Sequence, residues 1–446
     1  MREIAFDIVY GVLEKGGHSD EWFHKAVERE SAFARQEKNL VRRLSYGTIE
    51  RAYGLDIVLN HFLKMPVKKM RPVIRTILRM GAYEILYMAS IPESATCNEM
   101  VELTKKKKYQ NLSGVVNGVL RNIARADATS LESELLAGMP TEMGRLSFRY
   151  SVPEELMGML IDAYGAAAAE KIAASFYEES PVTIRVQTMN ASVSQVRTEL
   201  EQAGVLAEPC GYEEGTFRLR NFDRVEELPG FQEGHFIIQD ISSMLPVLVS
   251  GIKPGDVVVD VCSSPGGKAF HAVDRLQGTG LVSARDVSAK KLVRLRENAK
   301  RLGARNIEIK RWDAAVPDQK WCERADVVIA DVPCSGIGVI GRKPEIKYSA
   351  MQHEASLPKL QREITAGAQQ MLKPGGTLIY STCTVNPEEN EKNAEWITRE
   401  LPFEAVSIDE FVPEKLRSKM TKKGMLQILP GVHEGDGFFV ARFRKV

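Results

Sequence analysis

The sequence predicts a multidomain chain: an all-α module over residues 1–126, a small α+β domain over 150–234, and an α/β domain with a parallel sheet over 235–446. Three observations carry this division. In the first quarter apolar residues recur three and four apart, the spacing of one helix face. The stretch "PVTIRVQTMNASVSQVRTELEQAGV" passes from alternation, the period of a half-buried strand, to a helical pattern. From His235 onward short apolar runs alternate with helical ones, the signature of a sheet covered on both faces.

In the front module the helical segments are "EIAFDIVYGVLEK", "QEKNLVRRLSYGTIERAYGLDIVLNHFL", "MRPVIRTILRMGAYEILYM" and "LSGVVNGVLRNIAR". Lys64, Lys68, Lys69, Arg71, Arg75 and Arg79 lie between His61 and Met80 with no acid among them, and Lys105, Lys106, Lys107 and Lys108 form a second basic run. Residues 1–126 hold 21 Lys and Arg against 14 Asp and Glu, or +7, which leaves −6 for the remainder. Such a front is expected to meet a polyanion, and RNA is the favoured partner, although a solvated helix face has the same composition. In the middle domain, "YSVPEELMGMLIDAYG" places Pro153 at a helix start. In the last domain the strand candidates are Val257–Val261, Gly280–Ala284, Ile307–Lys310, Asp326–Ala330 and Thr377–Tyr380, with "SAKKLVRLRENAKRLG" and "LPKLQREITAGAQQML" as helices between them.

With 446 residues, 44% hydrophobic and 27% charged, the chain has the composition of a soluble protein with several cores. Its six cysteines show neither CxxC nor zinc-ligand spacing, so a reducing, cytoplasmic setting without structural metal is expected. Glu3, Asp7 and Glu14 interrupt the first apolar pattern as no secretory leader allows, and no run approaches membrane-spanning length. No membrane partner is expected.

The chemistry gathers at strand ends, where open α/β sheets bind ligands. "VVVDVCSSPGGKAFHAV" carries Asp260, Cys262, Ser263, Ser264, Pro265, Gly266, Gly267 and Lys268 through a strand-to-helix turn. It matches neither GxGxxG nor GxxxxGK[ST], which points to a nucleotide-like ligand without a pyrophosphate. Asp286 and Asp313 close the next two strands, placed for a ribose diol and an adenine amino group, so the set suggests S-adenosylmethionine. Any one of these aspartates alone reads as an ordinary cap. Cys334 and Cys383 follow the fourth and fifth strand candidates, and adjacent parallel strands would bring both thiols to one cleft beside Asp331. A thiolate can add to C6 of a pyrimidine and make C5 nucleophilic, while Asp331 hydrogen-bonds the N3/N4 edge of cytosine. Taken singly, each cysteine would be a buried small hydrophobe.

"LVRRLSYGTIER", "RTILRMGAYEILYM" and "IPESATCNEMVELTKKKKYQNLSGVVNGVLRNI" resemble the RNA-binding fold of the antitermination factor NusB. "DVCSSPGGK", "DVPCSGIGVIGRKPEIKY", "YSTCTVNPEENE" and "GDGFFVARFRK" resemble the cytosine-5 RNA methyltransferases of the Sun/Fmu family. That resemblance implies a Rossmann-like class I methyltransferase domain behind a small RRM-like one, and 16S ribosomal RNA as substrate. It also implies S-adenosylmethionine held by Cys262–Lys268, Asp286, Asp313 and Asp331, Cys383 as nucleophile and Cys334 as the group that assists release; separately, a monomer is expected. Ser263, Ser264 and Ala269 depart from the family's usual Ala, Ala and Thr. Two other readings are an RNA-binding or antitermination protein with a vestigial methyltransferase domain, and an enzyme whose nucleophile is Cys334.

Overall fold

The computed structural model describes residues 1–28, 34–353 and 356–446, and divides them into two units. The first comprises Met1–Tyr177 with Ile340–Met351, the second Glu178–Val339 with Gln352–Val446.

The first unit is helical. Its longest helices, Arg35–Phe62 and Pro72–Tyr87, bury Leu44, Leu55, Ile74 and Leu78 in one core with Ile8 from Arg2–Lys15 and Leu120 from Ser113–Arg125. Pro72 at the first position of its helix costs no hydrogen bond, because that N–H has no intrahelical acceptor. The segment Ile340–Met351 belongs to this unit although its sequence neighbours belong to the other. Its polar contacts explain why: Tyr348 Oη donates to the Ile49 carbonyl at 2.8 Å and Lys347 Nζ to Tyr177 Oη at 2.8 Å. These partners are remote in sequence, so periodicity carries no trace of them.

The second unit begins with four antiparallel strands, β1 (Val182–Val186), β2 (Leu206–Pro209), β3 (Thr216–Arg220) and β4 (Phe236–Ile238), in the order β2-β3-β1-β4. Ile184, Val186, Leu219 and Phe236 form its core with Val196 and Leu200 from the helix Val193–Gln202.

The larger sheet holds β5 (Val257–Asp260), β6 (Leu281–Asp286), β7 (Ile307–Arg311), β8 (Ala325–Asp331), β9 (Leu372–Thr382), β10 (Phe403–Ala405), β11 (Met425–Ile428) and β12 (Phe438–Lys445). Its order is β10-β12-β9-β8-β5-β6-β7, with β11 also on β12. The strands from β5 to β9 pair in parallel, whereas β12 runs antiparallel to β9. Val258, Val327 and Ile329 enter the core on one face, and Val259, Val328 and Ala330 the core on the other. This two-sided burial explains why these strands read as continuous apolar runs. β9 begins at Leu372, ahead of the expected Thr377, because a register shift between the Ala325–Leu372 and Val327–Thr377 pairs absorbs the turn-like "KPGG".

Candidate active site

The order of the parallel strands reverses between β5 and β8, and ligand crevices open at such switch points. Asp260 ends β5 and Asp331 ends β8, so both carboxylates stand at the crevice. After β5 the chain turns through Gly266, whose φ of +115° lies in the region that favours glycine, and enters the helix Gly267–Arg275. A cavity of about 350 Å³ opens there, lined by Asp260, Cys262–Pro265, Gly267, Lys268 and Asp331, with Gln239, Asp240, Asn298 and Arg301 opposite.

Burial and pairing set the charges. Asp260 is 1% exposed; its Oδ1 accepts from the Cys262 N–H at 3.3 Å while Oδ2 has no partner. Burial pushes its pKa up to about 7, with Lys268 pulling down and Asp331 pushing up. Lys268 Nζ donates to Asp331 Oδ2 at 2.6 Å, and Ser381 Oγ donates to Asp331 Oδ1 at 2.8 Å. Burial disfavours the Lys268 charge, but Asp331, with Asp260 and Cys383 behind it, outweighs burial and raises the pKa above the ordinary lysine value.

The two thiols stand together. Cys334 follows β8, Cys383 follows β9, and their sulfurs are 3.2 Å apart. The contact with Cys383, then burial, holds the Cys334 thiol well above its usual range. At 3.2 Å either sulfur can donate to the other, so one proton can serve the pair. Burial, with Asp260 and Asp331 adding to it, also raises Cys262.

Two of the expected cofactor aspartates stand outside the cavity lining, Asp286 near enough to Cys262 to help raise its thiol. Asp286 and Asp313 are not among the cavity residues; each spends an oxygen on its own loop, Asp286 on the Ser288 N–H at 2.8 Å and Asp313 on the Ala315 N–H at 3.0 Å. The local cap reading describes what those oxygens do. In the helical unit the basic run that has no acid in sequence has acids in space. Arg75 pairs with Glu14, and Arg79 with Glu14 and Asp56, because helix Arg2–Lys15 and helix Arg35–Phe62 carry those acids against it. Likewise Lys105 pairs with Glu102, and Lys107 with Glu3 and Asp7. Lys64, Lys68, Lys69, Lys106 and Lys108 are exposed, and Arg71 sits over the Tyr109 ring at 5.8 Å, which brings the two runs together on one face.

Residues 247–444 match the family model "16S rRNA methyltransferase RsmB/F", residues 1–125 the NusB family, and residues 152–226 the ferredoxin-like domain of RsmF/B-like methyltransferases. The chain is 32% identical to the probable ribosomal RNA small subunit methyltransferase B of Bacillus subtilis, over 100% of this chain and 98% of that one. It is 31% identical to ribosomal RNA small subunit methyltransferase B of Salmonella arizonae, over 100% and 98%. The chain belongs to the ribosomal RNA small subunit methyltransferase B family. Among solved structures, a methyltransferase homolog from Pyrococcus horikoshii matches at a TM-score of 0.59 and 26% identity, covering 69% of this chain and all of that one. NSun6 from the same organism, solved with SFG, matches at 0.60 and 23%, covering 66% and 98%.

For a methyltransferase of this family, the sequence reading missed the residues that support the site: Ser381 beneath Asp331, the Gln239–Asp240 wall, and Glu389 between the thiol loops. Glu389 lies within "NPEENE", where its acidic neighbours Glu388 and Glu391 give no sign that it alone is buried at 1% exposure.

Proposed function

We propose that this 16S rRNA methyltransferase methylates C5 of a cytosine, with S-adenosylmethionine as methyl donor and Cys383 as covalent nucleophile. One observation carries the reading: two thiols 3.2 Å apart at the ends of adjacent parallel strands, beside the Lys268–Asp331 pair. The cavity fits the donor. Its unpartnered Asp260 Oδ2 offers a carboxylate oxygen to a cationic ligand, and Gly267 opens the wall where the helix begins. The NSun6 neighbour was solved with SFG, an analogue of that donor. Asp260, Cys262–Pro265, Gly267 and Lys268 would hold S-adenosylmethionine, which supplies an electrophilic methyl group when bound.

The residues of this chain do the rest. Cys383 is the sulfur that attacks, with the Lys268 ammonium near enough to interact with its charge and favour the thiolate, and Cys334 is the neighbouring thiol. Cys383 adds to C6 of the base, and the C5–C6 π electrons move toward N3, making C5 nucleophilic. Asp331 accepts from the N4 amino group, and the Lys268 ammonium paired with it offsets negative charge at that edge. After C5 is methylated, a base or water takes the C5 proton, the C5–H electron pair forms the C5–C6 double bond, and the C6–sulfur pair leaves with Cys383 as thiolate. Cys334, 3.2 Å from that sulfur, assists this release.

A denaturing gel with labelled ribosomal RNA and cofactor tests the assignment. Cys383→Ala should give no adduct and lose activity by several orders of magnitude, as loss of a covalent nucleophile does. Cys334→Ala should attack and then release slowly, leaving protein joined to RNA. The reverse pattern would make Cys334 the nucleophile, and full activity without adduct in both would remove covalent catalysis.

A further inference from the structure

We infer that Glu389 is a positioning residue for the thiol pair: its buried carboxylate clamps the loop after Cys334 to the loop after Cys383 and so sets the distance between the two sulfurs. The inference rests on the reading of Cys334 and Cys383 as the reacting pair.

Four donors converge on this one carboxylate. Oε2 accepts from the Ser335 N–H at 2.9 Å and from Gln361 Nε2 at 2.8 Å. Oε1 accepts from Ser335 Oγ at 2.5 Å and from Asn386 Nδ2 at 3.2 Å. Ser335 is the residue after Cys334, and Asn386 lies three residues after Cys383. Two further bonds close the clamp: Ser335 Oγ meets Thr384 Oγ1 at 2.7 Å, and Gln361 Nε2 also donates to the Pro333 carbonyl at 2.9 Å. Residues on both sides of Cys334 are thus tied to Glu389 or to its partner Gln361. From below, Tyr380 Oη donates to the Glu389 carbonyl at 2.6 Å.

The chemistry of the donor set explains why the residue is glutamate. A carboxylate has only acceptors, and here both oxygens face donors. Glutamine has the same shape but would set an NH2 group against either the Ser335 and Gln361 N–H groups or the Ser335 hydroxyl and Asn386 amide. Two donors then face each other in a buried site, and the loops must part.

The test reads sulfur separation apart from methyl transfer. Diamide takes two electrons and two protons from a dithiol, forming the sulfur–sulfur bond while its azo group becomes the hydrazine, and the product is counted by mass with Cys97, Cys210, Cys262 and Cys322 replaced by Ser. In the full chain, Glu389→Gln should slow the Cys334–Cys383 bond at least about tenfold. In the chain with all its cysteines it should lower kcat on ribosomal RNA about a hundredfold. The KM for RNA and the calorimetric affinity for S-adenosylmethionine should stay within about twofold, because no cavity residue bonds to Glu389. Glu389→Asp, which keeps both acceptors, should recover part of both rates, and Ser335→Ala should show the same split more weakly. Unchanged kcat, unchanged bond formation, or loss of cofactor affinity alongside kcat would each overturn the inference. Bond formation precedes and is independent of methyl transfer, so it reports on the pair even where the gel assay assigns the thiols other parts. Glu389→Asp, which keeps the negative charge that raises the Cys334 thiol, separates sulfur placement from thiol ionisation.

Discussion

Asp260 is held where a carboxylate is costly. An unpartnered buried acceptor forfeits about 1–3 kcal/mol, and Asp260 lines the cavity, where a donor or cation could meet it. The sign of its pH effect follows from its pKa of about 7 in the folded chain against an ordinary 3.8. Between those values the folded chain binds the extra proton, so each step up in pH favours unfolding, and the stability present at low pH is lost as pH rises through about 7. The wild-type melting temperature should therefore fall from pH 4 to pH 7 relative to that of Asp260→Asn. A cation in the cavity would draw the proton off. Binding of S-adenosylmethionine near pH 7 should release about half a proton, seen as a calorimetric enthalpy that depends on the buffer, and Asp260→Asn should release none. Equal enthalpies in phosphate and Tris buffers for the wild type would show that Asp260 does not face the cationic part of the ligand. Cys334, Cys383, Asp331 and the turn residues were legible because each follows an apolar run, where strand ends place ligand groups. Glu389 was not, because its burial is a property of four partners spread from Ser335 to Asn386.

Two neighbouring glycines divide the work of the turn. A Cβ on Gly266 would lie 2.2 Å from Phe270 Cε2 and 2.7 Å from Leu295 Cδ1, at a φ of +115°, so this glycine is required by the fold. Gly267 has no positive φ and its Cβ would stop 3.6 Å from Gln239, so its lack of a side chain serves the cavity wall. Gly266→Ala should lose about 2 kcal/mol or more in denaturant unfolding and bind cofactor weakly, whereas Gly267→Ala should unfold within about 0.5 kcal/mol of wild type. Equal stability in both variants would mean that the turn can be rebuilt without its left-handed residue. At this scale the sequence was readable wherever one period dominates. The parallel strands announce themselves by apolar runs, and the helices by apolar spacing. The start of β9 was hidden because "KPGG" looks like a turn and is held in the sheet by its pairing with β8. Asp286 ends β6 and Asp313 follows β7 by two residues, and local capping takes one oxygen of each, which sequence spacing alone cannot show.

The charge asymmetry of the chain, +7 over residues 1–126 against −6 beyond, survives in the structure in a reduced form. Some of the front's cations neutralise acids of their own unit: Arg75 and Arg79 serve Glu14 and Asp56, and Lys107 serves Glu3 and Asp7. What remains for a polyanion is the exposed set Lys64, Lys68, Lys69 and Arg71, with Lys106 and Lys108 close to Tyr109. The two groups should separate in one experiment on the full-length protein. Replacing Lys64, Lys68, Lys69 and Arg71 together by Ala should leave the melting temperature unchanged and reduce the slope of log affinity for ribosomal RNA against log salt by roughly 0.7–0.9 for each phosphate no longer neutralised. Arg75→Ala should do the opposite. Glu14 is mostly buried and would keep only its longer ion pair with Arg79, so the variant should melt earlier while its salt slope stays at the wild-type value. If the fourfold variant keeps its salt slope, those lysines are a solvated face and the RNA is held by other residues; if Arg75→Ala changes the slope without lowering the melting temperature, the pairing with Glu14 does not persist in solution.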